Sequence, residues 1–171
     1  MSEIPPLALA ALYWLHMLAT VVWLGGLASF LIFVLPAAHS ALEPEVYGRL
    51  LGKLQQRLQQ VGWLSLAVLG ATGLFQLSAN VHYSGLLNLN SPWAVAIFIK
   101  HLTVLVMVAA SAYSTWGVLP ALRRTALLRS AGRDVDPVQA QALERRELLI
   151  LRANLALSII VLALTAFARS V

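Results

Sequence analysis

Two histidines and a lysine stand inside long apolar runs: His16 within LHMLATVVWLGG, and Lys100 with His101 within PWAVAIFIKHLTVLVMVAA. An imidazole in hydrocarbon is unfavourable without a partner, and an ionisable side chain at such a place marks a functional site by default. Neutral imidazole is a common metal ligand and an axial ligand of haem iron. His16 comes about nine residues into its run and His101 about eight into its own, roughly 12–13 Å at helical rise. If both runs start from the same membrane face, the two side chains share one depth. A metal or cofactor held between them is then the sharper reading, and separate structural hydrogen bonds the plainer one. His82 falls at the end of another run near the same face, as an interfacial residue or a third ligand. His39 belongs to the opposite face. Lys100 is set about 100° round the helix from His101. It either snorkels to the headgroups or offers a cation to an anionic group such as a carboxylate or haem propionate. Trp23 follows on the His16 face, and Gly25 and Gly26 leave room there for close helix approach or for something planar.

The elements that must position these residues follow from composition. The chain has 171 residues, 60% of them apolar and only 11% charged, and its mean hydropathy is +0.79. Soluble domains carry about 25% charged residues, so the chain reads as an integral membrane protein. Four runs, about 6–38, 62–81, 93–119 and 148–168, are long enough to cross roughly 30 Å of hydrocarbon. The expected fold is a single all-α domain, a four-helix transmembrane bundle. The opening MSEIPP has no basic n-region, and the run after it is too long for a signal peptide, which predicts a retained first span. Between the first two spans, Val46, Leu50, Leu51, Leu54, Leu58 and Val61 recur at helical spacing, with Arg49, Lys53 and Arg57 on another face. This predicts an amphipathic helix over 45–61 that runs on into the second span. The Gly, Asp and Pro of AGRDVDP predict a break before the last span.

Charge gives the orientation. The loop after the first span carries Arg49, Lys53 and Arg57, and the loop after the third carries Arg123, Arg124, Arg129, Arg133, Arg145 and Arg146. The positive-inside rule places both loops in the cytoplasm and both termini outside. The first and third spans then enter from the same face, which is what the depth argument for His16 and His101 requires. Topology accounts for the net charge of +5, so no nucleic-acid partner is implied. The partner expected from composition is the lipid bilayer.

Polar residues in the spans form stripes. Ser65, Thr72, Gln76 and Tyr83 in the second span, and Glu147, Asn154, Ser158 and Thr165 in the fourth, recur at intervals of seven and four. Such intervals return to one side of a helix, and in a membrane that side faces other helices. Glu147 is the acid closest to a span, with Arg146 or Arg152 as its expected partner. The chain has no cysteine, which removes disulfides and thiolate sites. No hydrolase triad, phosphate loop or paired-carboxylate site occurs in the spans, which weighs against a hydrolytic enzyme and leaves redox activity open.

The stretches LHMLATVVWLGGLASFLIFVLP, TGLFQLSA and SPWAVAIFIKHLTVLVMVAASAY resemble the membrane domain of CopD-type copper-resistance proteins. The resemblance runs from Leu15 to about Arg124 and rests on His16, Trp23, Gly25, Gly26, Thr72, Gly73 and Lys100. It implies a multi-pass protein of the bacterial cytoplasmic (inner) membrane that handles or transports copper, with a periplasmic copper or electron donor as partner. A more distant similarity is to HemJ-type haem-binding membrane proteins, although LPAAHS lacks that family's Pro-Arg pair. Ligand chemistry leaves two sites open. His16, His82 and His101 form a set for copper, although Cu(I) favours sulfur ligands. Alternatively, His16 and His101 hold a b-type haem between helices, with Lys100 on a propionate. A non-catalytic accessory subunit, its polar stripes serving packing alone, is the third reading.

Overall fold

The computed structural model describes residues 5–79 and 90–170, apart from the side chains of 44 and 45. They form four helices long and apolar enough to cross a membrane: α1 (Pro6–Ala41), the second helix α2 (Pro44–Ser78), α3 (Pro92–Ser130) and α4 (Pro137–Ser170). Every helix starts on a proline. The missing N–H costs nothing in the first turn, and the fixed φ is already helical. Ser91 caps α3 by accepting from the Ala94 N–H at 3.2 Å, and Asp136 accepts from the Val138 N–H at 2.9 Å at the start of α4. Between them the chain leaves α3 through Gly132, two residues past its end, whose φ of 68° is costly for any residue with a Cβ.

The helices outrun the apolar stretches of the sequence. Residues 45–61 and the second span form one rod, α2, while α3 carries its basic residues on to Ser130 before the break at AGRDVDP. In α1 and α3 a single wide turn interrupts the α-helical pattern, at Phe30–Val34 and Ser114–Val118. Each lies just before an internal proline, Pro36 and Pro120. Such a proline removes one ladder hydrogen bond and crowds the carbonyl four residues back, here Ile32 and Trp116, and a π-type turn relieves that crowding without breaking the helix.

The most extensive packing is between α1 and α2 and between α3 and α4. The pairs are joined around a square. Trp23 of α1 donates its indole N–H to Ser158 of α4 at 3.1 Å, and Trp63 of α2 donates to Thr115 of α3 at 3.0 Å. The indoles of Trp63 and Trp116 also lie 5.4 Å apart. This order puts α1 diagonally opposite α3. Large apolar side chains such as Leu7, Phe33, Leu105 and Trp116 are turned outward, whereas Ser65, Thr72, Ser114, Glu147, Asn154 and Ser158 are buried. That inversion of the water-soluble pattern is expected where lipid is the solvent and polar groups must find partners within the bundle. A small apolar cluster, Leu27, Phe30 and Leu151, sits between the pairs beside Trp23, Leu54 and Leu58.

Candidate functional site

His16 faces α2. Its Nδ1 lies 2.8 Å from Thr72 Oγ1, and Thr72 passes its own hydroxyl proton to the Val68 carbonyl at 2.6 Å. The threonine oxygen is therefore an acceptor towards the ring, so His16 carries its proton on Nδ1. His101 reaches the same state by another route, since its Nδ1 lies 2.7 Å from the Ile97 carbonyl, which can only accept. Both imidazoles are thus held in the tautomer that leaves the Nε2 lone pair available. Orienting a ligand histidine through its other ring nitrogen is how proteins prepare metal sites.

Helical register gives the level of each ring. Trp23 is bonded to Ser158, so stepping outward along antiparallel α1 and α4 by equal numbers of residues sets His16 beside Thr165. On α3, Asn154 donates to Ser111 at 3.4 Å, and the same step sets His101 beside residue 164. The two histidines therefore occupy one level on diagonal helices. The described hydrogen bonds join neither ring to the other, and among the described residues no three His, Asp or Glu side chains form a metal cluster. His82, the third ligand expected from the sequence, lies outside the described residues, as does Tyr83 of the second stripe.

Lys100 is partly buried and close enough to His16 to act on it electrostatically, with Arg169 of α4 as a further cationic neighbour. The end of the bundle away from the basic loops therefore gathers positive charge around the histidine level. The glycine against the His16 ring is Gly73, whose added Cβ would meet Cε1 at 3.4 Å. Gly26 instead faces Leu58, and Gly25 faces open space. Trp23 does not join His16 in its described contacts. Its ring covers Gly62, where a Cβ would stand 2.9 Å from the indole. Gln76 continues the α1–α2 contact one turn outward, donating to the Leu12 carbonyl at 3.4 Å.

A second polar centre lies towards the end of the bundle that carries the basic loops. Glu147 is buried, and Ser114 donates to its carboxylate at 2.8 Å from either oxygen. The arginine partners expected from the sequence are engaged elsewhere or exposed. Arg146 donates to the Tyr113 hydroxyl at 3.1 Å, and Arg152 points outward. Arg146 stands one position from Glu147, about 100° round the helix, and Arg152 five positions on, about 140° round, so both diverge from its inward face. Ser111, Ser114, Thr115 and Trp63 were not legible as site residues. The signal for the first three was the hydroxyl cluster SAYST at helical spacing, just before Pro120.

A family model described as CopD, copper resistance protein D, matches residues 52–168. No curated protein matches the chain, and no solved structure does. The matched residues include Thr72, Gly73, Lys100 and His101 at the histidine level, together with Glu147 and Asn154 of the second centre.

Proposed function

We propose, from the premise that the chain belongs to the CopD family of copper resistance proteins, that it handles copper through His16 and His101 in the outer half of the bilayer. The observation that carries this reading is the shared tautomer. Thr72 and the Ile97 carbonyl take the Nδ1 protons, leaving two Nε2 lone pairs at one level on opposite helices. Imidazole is a borderline ligand suited to copper in either oxidation state. His82 is the candidate third ligand. Lys100 and Arg169 keep the positive charge at this level high, which weakens retention of a cation and favours its onward release. Such a station suits cargo that must leave again better than a permanent metal.

The reading includes an orientation, with both termini outside the cytoplasm of a bacterial inner membrane and a periplasmic donor delivering copper to the histidine level. The same two Nε2 atoms would equally hold a b-type haem, which would supply one-electron redox chemistry, with Lys100 as the cation for a propionate.

The test is the purified full chain, loaded with copper, desalted and assayed for metal and for visible absorption. A colourless protein retaining copper, with retention lost in His16→Ala and His101→Ala, supports copper handling. A reducible Soret band lost in the same variants replaces copper with haem. Unchanged metal and colour in both variants leaves the accessory-subunit reading.

A further inference from the structure

The second polar centre borders a cavity of about 320 Å³ lined by residues of all four helices. Its walls are mostly apolar, formed by residues such as Leu27, Phe30, Leu58 and Leu151 together with the indoles of Trp23 and Trp63. Several protons at this centre are already committed. Both indole N–H groups are spent on Ser158 and Thr115. The Ser114 proton goes to Glu147, and the Ser158 proton goes to the Asn154 carbonyl at 2.7 Å. Arg57, Gln55, Gln59 and Thr115 also line the cavity and can donate, but among the described buried side chains one acceptor is left over. Asn154 lines the cavity and is 2% exposed, yet its Oδ1 has no hydrogen-bond partner. Leaving a buried amide oxygen unpaired costs about 1–3 kcal/mol, so the vacancy points to a ligand that donates.

Three further observations narrow the class. Glu147 and Asn154 are two turns apart on α4, about 10 Å along the helix, too far for their side chains to close on one cation. Val22 and Val61 line the cavity and are also 40% and 44% exposed, and exposed Arg57 lines it as well, so its mouth lies where apolar and basic surfaces meet. The volume is at the small end of ligand pockets, room for one ring system.

We propose that this cavity binds a lipophilic aromatic alcohol, of the phenol or hydroquinone class, which donates a ring hydroxyl to Asn154 Oδ1 and lays its ring against Trp23 and Trp63. Glu147 is a second acceptor for a hydroxyl at the far side of the ring. No step of this binding passes through His16 or His101, so it stands or falls separately from the copper reading.

The test titrates the purified full chain in detergent, without oxygen, with trimethylhydroquinone and with 1,2,4-trimethylbenzene, which is the same methylated ring without hydroxyls. Each heat is corrected for uptake by protein-free micelles. The hydroquinone should saturate at one per chain and bind about tenfold or more tighter than the hydrocarbon, the ratio that one hydrogen bond of about 1.4 kcal/mol gives. Asn154→Leu should close that gap, while Thr72→Val should leave it unchanged. Equal binding of the two compounds, or no saturable binding by either, overturns the proposal and assigns the cavity to water or an acyl chain. The ligand pair decides on the unaltered chain if Asn154→Leu does not fold.

Discussion

The two polar centres of this bundle solve the same physical problem in opposite ways. At the histidine level, Thr72, Gln76 and the two imidazoles hand protons to acceptors on their own helix or on a direct neighbour, and what is left over is a pair of imidazole lone pairs. At the Glu147 level, hydroxyl and indole protons converge inward, and what is left over is the Asn154 oxygen beside a cavity. The first centre is spare and cationic, with Lys100 and Arg169 near it. The second is crowded, and it ties α1, α3 and α4 together through Trp23, Ser158, Asn154, Ser111, Ser114 and Glu147. The contrast separates a sparse level with two available imidazole lone pairs from a network that also holds the bundle in register.

Substitutions at the two levels should therefore separate stability from copper retention. The largest effect on stability is expected from Glu147→Ala. It opens a void and strands the Ser114 hydroxyl, costing about 2–4 kcal/mol in denaturation of the purified chain, with copper retention in the surviving folded fraction unchanged. A copper loss in that fraction would merge the two centres into one. Next, Thr72→Val removes the acceptor that orients His16. It should weaken copper binding about 10–100-fold while moving the thermal midpoint little, and an unchanged affinity would break the orientation argument. Gly62→Ala drives a methyl into the Trp23 ring, which must shift, at about 1–2 kcal/mol. The smallest effect is expected from Trp23→Phe, which gives up the hydrogen bond to Ser158 for about 0.5–1.5 kcal/mol. Circular dichroism melts of the variants check both.

The apolar runs made the four helices legible, because a span needs length and hydropathy and little else. The inward face was legible too. Ser65, Thr72, Glu147, Asn154 and Ser158 recur at intervals that return to one side of a helix, and all five are buried. Partner identity was not legible, for a geometric reason. Spacing fixes the face within one helix, whereas the partner depends on the rotation of another. Glu147 accordingly pairs with Ser114 on α3 instead of Arg146 beside it in sequence, and the glycine at the His16 ring is Gly73 on α2 instead of Gly25 or Gly26. The wide turns before Pro36 and Pro120 escaped for a related reason, since a proline announces a disturbed ladder but not how the helix absorbs it.

The central claim is that one copper is held jointly by His16 and His101. It is tested most directly by the copper affinity of four chains: the unaltered protein, His16→Ala, His101→Ala and the double variant. If the two rings share one metal, each single substitution should lower affinity nearly as far as the double, because the second ligand alone holds little. Losses that add independently, or an affinity that survives in the double variant, would contradict the shared site.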